Sequence, residues 1–244
     1  GTLFPYTTLF RSSTTPERLA KHGWDYHFGY YDHVRCHGFY PPFLWENGYM
    51  VDIPGNEHAD CGKTYTCETP ENRRRSSDRG GKAVYSQDIF NHKIEEFIRK
   101  HHNVPFFLYH PSQLPHGPTA VPEVHPAVKN ADGLSLWEKE YASMILRLDD
   151  TVGIVYDLLE ELDILEQTAI VFAADNGHEC GYYAEAGRCT GGTVTIDGRA
   201  IDHIDIDYRS ELVGDMFNGN DGFSGKKRFS LEGGVRIPFI VRYP

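Results

Sequence analysis

Two adjacent residues in this sequence could bind a divalent cation. Asp175 and Asn176 stand side by side before Gly177. A carboxylate next to an amide oxygen offers hard oxygen ligands, which suit Ca²⁺ or Mg²⁺ better than zinc. Asn-Gly is also a common turn signal, so the tripeptide alone is a weak indication. Its place directly after an apolar run favours the metal-binding interpretation.

Two basic residues elsewhere could act on an anionic ester bound at such a metal. His116 lies between Pro115 and Pro118, which restrict the backbone and could hold the ring in one orientation. A histidine can protonate a leaving group or, when charged, bind an anionic oxygen. Lys227 offers a compact positive charge for a sulfate or phosphate oxygen. An ordinary loop histidine and a solvated basic loop are the alternatives.

Local patterns predict the elements that would position these residues. Apolar residues at helical spacing predict a helix over 87–101, with Ser86 as its N-cap. A short apolar run predicts a strand over 105–109. Ser135-Leu-Trp-Glu138 is a capping box, and the apolar face behind it predicts a helix that reaches Leu162. The β-branched and aromatic run 168–174 predicts a buried strand.

Strand, long helix and strand form a βαβ unit, which predicts a parallel sheet with a right-handed crossover. Ligands of such sheets bind beyond the carboxyl ends of the strands. His116 and Asp175 each follow a predicted strand, so we expect them at one edge. The stretch 178–222 is rich in Gly and Asp and predicts a functional loop, with one hairpin around Thr193 to Ala200.

Length and charge limit the class of protein. The 244 residues suffice for one large α/β domain, and the formal charge of −11 argues against a nucleic-acid partner. The sequence contains no run of eighteen or more apolar residues, so it predicts no membrane-spanning helix. Residues 1–12 look like a translated sequencing adapter, so we expect them to lie outside the fold. We expect 13–244 to be a partial domain, cut at both ends.

The cysteines form no zinc-binding pattern. There are five, and no two have C-x-x-C spacing. Cys61 with Cys67, or Cys180 with Cys189, could close short loops as disulfides, and free thiols are the alternative.

Several motifs, in this order along the chain, resemble the formylglycine-dependent sulfatases of the alkaline-phosphatase-like superfamily. They are Gly23-Trp-Asp-Tyr-His-Phe-Gly29, the aromatic stretch His37 to Gly48, the strand Pro105 to Tyr109, Pro115-His116-x-Pro118, Arg147-Leu-Asp149 with Val152-Gly153, Asp175-Asn176-Gly177, Lys227-Arg228, and Glu232-Gly-Gly-Val-Arg-Ile-Pro238. The resemblance covers almost all of the chain after Ser13. Each motif is weak alone, and together they are specific.

The resemblance implies a fold and a reaction. It implies a partial α/β/α sandwich with a mainly parallel sheet, and metal-dependent hydrolysis of sulfate esters through a formylglycine hydrate. In similar enzymes the counterparts of Asp175 and Asn176 bind the ion, usually calcium. The counterpart of His116 contacts the sulfate or protonates the leaving oxygen, and that of Lys227 neutralises the transferring group. The position of Lys226 is often glycine. Many relatives are exported.

The sequence also departs from the family pattern. No Cys-x-Pro-x-Arg or Ser-x-Pro-x-Arg occurs, so we expect this chain itself to be inactive. The aromatic segment from Trp24 to Trp45 could stack on sugar rings, which favours a sulfated saccharide as substrate. A phosphatase or phosphodiesterase of the same superfamily and a carbohydrate-binding relative without catalysis are the alternatives. The roles of His37 and His178 stay open.

Overall fold

The computed structural model describes residues 2–4, 19, 21–31, 35–56, 82–183, 189–190, 194–201 and 208–244. The chain divides into two units. Unit 1 comprises residues 1–132 and 139–165, and unit 2 comprises residues 133–138 and 166–244. No helix in the described ranges has the length and apolar character needed to cross a bilayer.

Unit 1 contains a five-stranded mixed sheet. Its strands are β1 (Thr2–Phe4), β2 (Tyr26–Gly29), β3 (Phe43–Glu46), β4 (Tyr49–Asp52) and β5 (Phe107–Leu108), in the order β4-β3-β2-β1-β5. Strand β1 runs parallel to β2 and β5, whereas β2, β3 and β4 are antiparallel neighbours. Asn47 and Gly48 join β3 to β4 with positive φ at both positions, as a two-residue hairpin turn requires.

Strand β1 lies within the adapter-like residues 1–12. Strands in a sheet pair through backbone N–H and C=O groups, which every residue except proline provides. The position of β1 therefore does not require side chains that were selected for this fold. Residues 5–12 lie outside the described part of the chain, and the adapter origin of residues 1–12 stays a prediction.

The two predicted helices are present in the structure. Helix α1 is Ser86–His101, α2 is the short Pro126–Lys129, and α3 is Leu136–Glu161. The capping box is confirmed, because the Ser135 N–H donates to Glu138 Oε2 (2.7 Å) and the Glu138 N–H donates to Ser135 Oγ (3.4 Å). These reciprocal bonds satisfy two amides that the helix itself leaves unpaired.

The predicted N-cap of α1 is wrong by one residue. Tyr85 occupies the cap without a side-chain hydrogen bond, and Ser86 is the first helical residue. The Ser86 hydroxyl donates instead to Oε1 of Gln113, at 2.6 Å. A tertiary partner therefore takes the side chain that local sequence assigns to capping.

Gln113 is a buried hub that anchors the segment carrying His116. Its Oε1 accepts from Ser86, and its Nε2 donates to the carbonyl oxygens of Cys36 and Gly38. The Gln113 carbonyl accepts the His116 N–H at 2.8 Å. The adjacent core of unit 1 holds Phe39, Tyr40, Tyr85, Leu114, Ala120, Val121 and Met144. The His116 loop is thus anchored by Gln113 and flanked by the core residues Leu114 and Ala120.

Unit 2 is built from short elements and long connections. It contains β6 (Ile170–Ala173), α4 (Glu232–Val235) and β7 (Phe239–Arg242), with 3-10 turns at Cys180–Tyr183 and Ser210–Val213. The expected hairpin is confirmed, because Val194 and Ala200 form an antiparallel bridge.

The expected parallel pairing of the βαβ unit is not seen among the described strands. Strand β6 pairs antiparallel with β7, and β5 belongs to the sheet of unit 1. Nor is β6 fully buried, since Val171 is 59% exposed and Phe239 on β7 is 64% exposed. The prediction of a buried strand is therefore wrong for this chain. An apolar run shows what a strand can bury, but it does not show which segments cover it.

We expect Gln113→Ala to destabilise the chain by about 2–3 kcal/mol, because a buried hydroxyl and two carbonyls each lose a hydrogen bond, although the Gly38 carbonyl still accepts from the Tyr30 hydroxyl. Urea unfolding followed by circular dichroism measures this change. Gln167→Ala is the matched control, since Gln167 is exposed and its loss should cost less than about 0.5 kcal/mol. Equal effects of the two substitutions would contradict the role of Gln113.

Candidate functional site

The Asp175-Asn176-Gly177 turn follows β6 and is held by direct backbone contact. The Gly177 N–H donates to the Gly234 carbonyl at 2.9 Å. A Cβ on Gly177 would overlap the Gly233 carbonyl oxygen, so only glycine allows this approach. The candidate metal ligands therefore sit on a turn whose position is set by the Glu232–Val235 segment.

Gly233 and Gly234 must also be glycine, because they pack against further backbone segments that leave no room for a Cβ. A Cβ on Gly233 would overlap the Gly225 carbonyl oxygen, and one on Gly234 would overlap the Phe229 carbonyl oxygen. The Glu-Gly-Gly motif thus lets three backbone segments meet within unit 2. This contact brings the segment 225–229, which contains Lys227, to the turn at Gly177.

Asp175 and Asn176 fit as part of a cation site. The Asn176 amide nitrogen donates to the Gly177 carbonyl at 3.0 Å, which orients the amide and leaves Oδ1 as the ligand atom. Asp175 is exposed, so its carboxylate is open to an ion. Ca²⁺ takes six to eight oxygen ligands. The described residues contain no group of three or more His, Cys, Asp or Glu side chains placed for a metal, so further ligands are needed.

Lys227 lies close enough to Asp175 for their charges to interact. Burial lowers the pKa of the Lys227 ammonium, and the negative charge of Asp175 opposes that shift. The Lys227 N–H donates to the His178 carbonyl at 3.1 Å. The structure thus brings three of the four predicted site residues together in unit 2, although their roles stay predictions.

Lys226 differs from Lys227, because its ammonium forms an ion pair with a side chain of the same unit. Its ammonium donates to Oε1 of Glu179 at 3.1 Å, and both side chains are nearly buried. The ammonium also lies 5.7 Å from the centre of the Tyr208 ring. The interpretation as a solvated basic loop is therefore wrong for Lys226. Its pairing leaves Lys227 as the lysine of this run that faces Asp175.

His178, whose role the sequence left open, pairs with a residue that sequence reasoning missed. Its Nε2 lies 3.2 Å from Oδ2 of Asp215, whose side chain is 0% exposed. Asp215 also accepts the N–H groups of Phe217 (3.0 Å) and Gly219 (2.9 Å). The His178 N–H donates to the Asn220 side chain at 3.0 Å. Asp215 has no local motif, so only the tertiary structure identifies it.

This pair has a direct consequence for Lys227. The backbone carbonyl of His178 accepts the Lys227 N–H, while the side chain of His178 is held by Asp215. The imidazole also packs so closely on Gly219 that a Cβ there would overlap the ring. His178 and Asp215 therefore position Lys227 through the backbone.

His116 belongs to unit 1 and has a defined tautomer. Its Nδ1 lies 2.7 Å from the Gly117 carbonyl oxygen, which can only accept, so Nδ1 carries the proton. Proton donation from Nε2 therefore requires the charged imidazolium. The His37 ring lies edge to face with His116, with centroids 4.6 Å apart. The approach of His116 to Asp175 stays a prediction.

In the aromatic segment that was expected to stack on sugars, several rings pack against other aromatic side chains of unit 1. Trp45 packs against Tyr31 and Phe43, with ring centroids 5.2 and 6.0 Å apart. Trp24 lies near the rings of Phe107 and Tyr109. These contacts give the tryptophans a structural role within unit 1.

We expect Asp215→Ala to destabilise the chain by about 3 kcal/mol, because a buried imidazole and two amides lose their acceptor. Hydrogen exchange at the Lys227 amide should also become faster, since that amide bonds to the His178 carbonyl. Asp157→Ala on the exposed face of α3 is the control, with a cost below about 0.5 kcal/mol. Unchanged exchange at Lys227 in Asp215→Ala would refute the positioning role.

Curated relatives with sulfatase names match the chain. An N-acetylgalactosamine-6-O-sulfatase of Bacteroides thetaiotaomicron is 31% identical over 160 residues, which cover 64% of this chain and 25% of the relative. An arylsulfatase of Hemicentrotus pulcherrimus is 30% identical over 158 residues, which cover 64% of this chain and 21% of the relative. The chain thus matches only about a quarter of the length of these relatives.

Solved structures share the fold. One, from a study of glycosaminoglycan metabolism by Bacteroides thetaiotaomicron, has a TM-score of 0.52 and 25% identity, and covers 91% of this chain and 46% of that one. The crystal structure of Ps i-CgsB has a TM-score of 0.57 and 20% identity, and covers 100% of this chain and 44% of that one. These matches support the α/β class.

The sulfatase family model matches residues 5–244, which is nearly the whole chain. Its match includes the Asp175 turn, the glycine pair after Glu232 and Lys227, whose arrangement in unit 2 is described above. The chain therefore belongs to the sulfatase family.

Proposed function

We propose that this chain supplies part of the active site of an enzyme that hydrolyses sulfate esters with the help of a divalent cation. The observation that carries the proposal is the set of backbone contacts that bring the segment of Lys227 to the Asp175 turn: the Lys227 N–H donates to the His178 carbonyl, and glycine contacts hold the turn in place. A cation next to open hard oxygen ligands is an arrangement that suits an oxyanion such as sulfate.

In this proposal, different residues of the chain bind the cation, bind the sulfate and transfer the proton. Asp175 and Asn176 would hold calcium or magnesium, which when bound draws charge from the non-bridging sulfate oxygens. Lys227 neutralises a further oxygen, and Asp175 favours its charged form. His116 in its imidazolium form donates a proton to the departing alkoxide. This last role rests on the family resemblance and on the proton at Nδ1.

The motif that carries the nucleophile of the family does not occur in this chain. None of the five cysteines is followed by the Pro and Arg of the formylglycine motif. Cys36, Cys180 and Cys189 are also buried, whereas Cys61 and Cys67 lie outside the described residues. These residues do not fit a formylglycine, so we derive no step through that group. We infer that the isolated chain binds the sulfate ester but does not hydrolyse it.

We further propose a sulfated saccharide as the substrate and a mainly parallel α/β/α sandwich as the complete domain. Relatives named N-acetylgalactosamine-6-sulfatases support the substrate class. The fold that the chain shares with solved structures supports the α/β class of that domain. In this proposal residues 13–244 are part of the catalytic domain.

Calorimetric titration of the chain with three sugars in millimolar calcium tests the binding role. We expect N-acetylgalactosamine 6-sulfate to bind at least about tenfold more tightly than unsulfated N-acetylgalactosamine, a difference of about 1.4 kcal/mol. Equal binding of the two would favour a carbohydrate-binding protein. Tighter binding of the 6-phosphate, with zinc more effective than calcium, would favour a phosphatase.

The same titration should identify Lys227. We expect Lys227→Gln to weaken binding of the sulfated sugar about tenfold without changing binding of the unsulfated sugar. Arg228→Gln removes the same charge from the next, exposed position and should change the affinity by less than about twofold. Equal losses in the two variants would show a general charge effect and contradict the role of Lys227.

The purified chain should not hydrolyse a fluorogenic aryl sulfate above the buffer rate, because it has no residue that can become the family nucleophile. Calcium and magnesium should not change this result. Turnover that exceeds buffer and is lost in Asp175→Ala would overturn the inference that the nucleophile lies elsewhere.

A further inference from the structure

Two buried cysteines lie against each other in unit 2. The Sγ atoms of Cys180 and Cys189 are 3.3 Å apart, and the residues are 1% and 5% exposed. Cys189 Sγ also lies 3.6 Å from the Cys180 carbonyl oxygen. They are nine positions apart in the sequence, so a bond between them would close a short loop.

This geometry is close to that of a disulfide. The sulfurs of a disulfide are about 2.05 Å apart, so the two would have to approach by roughly 1.2 Å. Small rotations of the two side chains can supply a movement of that size. The two sulfur atoms are therefore near enough for a cross-link.

Neither a nucleophile nor a metal site explains the pair as well. The Cys189 contact and burial raise the pKa of the Cys180 thiol, which keeps it protonated and poorly nucleophilic. A structural zinc site needs four ligands, and the described residues contain no suitable group of three.

We propose that Cys180 and Cys189 form an intramolecular disulfide when the chain meets a low-molecular-weight disulfide such as oxidised glutathione. Cys189, as the thiolate, attacks glutathione disulfide, releases one glutathione and forms a mixed disulfide, which removes the thiol contact that raises the pKa of Cys180. The other cysteine then attacks the protein sulfur of that bond and releases the second glutathione. Two protein thiols are oxidised, one S–S bond forms, and two glutathione thiols carry away the two electrons and two protons.

The cross-link would stabilise the segments that hold His178 and Lys226 next to the candidate site. Cys180 directly follows His178 and Glu179, whose side chains pair with Asp215 and Lys226. Next to Cys189, the Thr190 N–H donates to the Val213 carbonyl at 2.8 Å. The disulfide would therefore tie the segment after the Asp175 turn to Cys189, whose neighbour Thr190 is hydrogen-bonded to the segment that leads into Asp215. The inference holds whether or not the chain binds sulfate esters.

Peptide mapping of the intact chain tests the proposal. The chain is equilibrated with oxidised glutathione, alkylated after denaturation and digested with trypsin without reduction. Cleavage after Arg147, Arg188 and Arg199 separates Cys180 from Cys189, so the disulfide links peptides 148–188 and 189–199. We expect this linked pair as the main oxidised product, and we expect reduction to release it. Cys180 and Cys189 recovered as alkylated thiols, or linked to other cysteines, would overturn the proposal.

Thermal unfolding of the oxidised and reduced chain gives an independent readout. The oxidised chain should unfold roughly 5 °C or more above the reduced chain, because the cross-link restricts the unfolded state. Cys189→Ser should abolish this difference, whereas Cys36→Ser, which changes a buried cysteine of unit 1, should retain it. A difference that persists in Cys189→Ser would assign the stabilisation to another pair. The mapping uses the unaltered chain, so the proposal stays testable if a variant does not fold.

Discussion

The backbone contact between Gly177 and the pair Gly233 and Gly234 is the constraint on which the candidate site depends. The turn at Gly177 and two neighbouring segments near residues 225 to 234 approach so closely that no Cβ fits between them. The hydrogen bond from Gly177 to Gly234 fixes the turn that carries Asp175. Backbone contacts of this kind do not flex as side chains do, so the positions of the charged groups follow from them. Glycine therefore sets the geometry here, and the charged residues supply the chemistry.

Near this contact, two pairs of ionisable side chains with little exposure lie within the described part of unit 2. Lys226 pairs with Glu179, and His178 pairs with Asp215, whose other bonds are to backbone amides. A buried charge without a partner is costly, so such pairs favour a single arrangement of the loop. Lys227 differs because burial acts against its charge and Asp175 only partly compensates.

Unit 1 uses the same principle at the histidine loop, with a neutral side chain at its centre. Gln113 satisfies a hydroxyl and two carbonyls while its own backbone holds His116. Such a network holds a loop firmly when every member has a partner, and it is costly when one is lost. By contrast, two apolar side chains of the β6–β7 sheet in unit 2, Val171 and Phe239, are exposed.

Local patterns in the sequence determined the features that depend on neighbouring residues. The range 87–101 matched α1 within one residue, the Ser135 capping box opened α3 and the hairpin ending at Ala200 formed, because caps, helical periodicity and turns involve residues a few positions apart. The ordered motifs also identified the family. Only the tertiary structure decided that β6 pairs with β7 and that Asp215 holds His178. It likewise decided that Lys226 pairs with Glu179, whereas the motif resemblance had already assigned a site role to Lys227. Those outcomes depend on which distant segments meet, and adjacent residues of the same type carry no local signal of which one will find a partner.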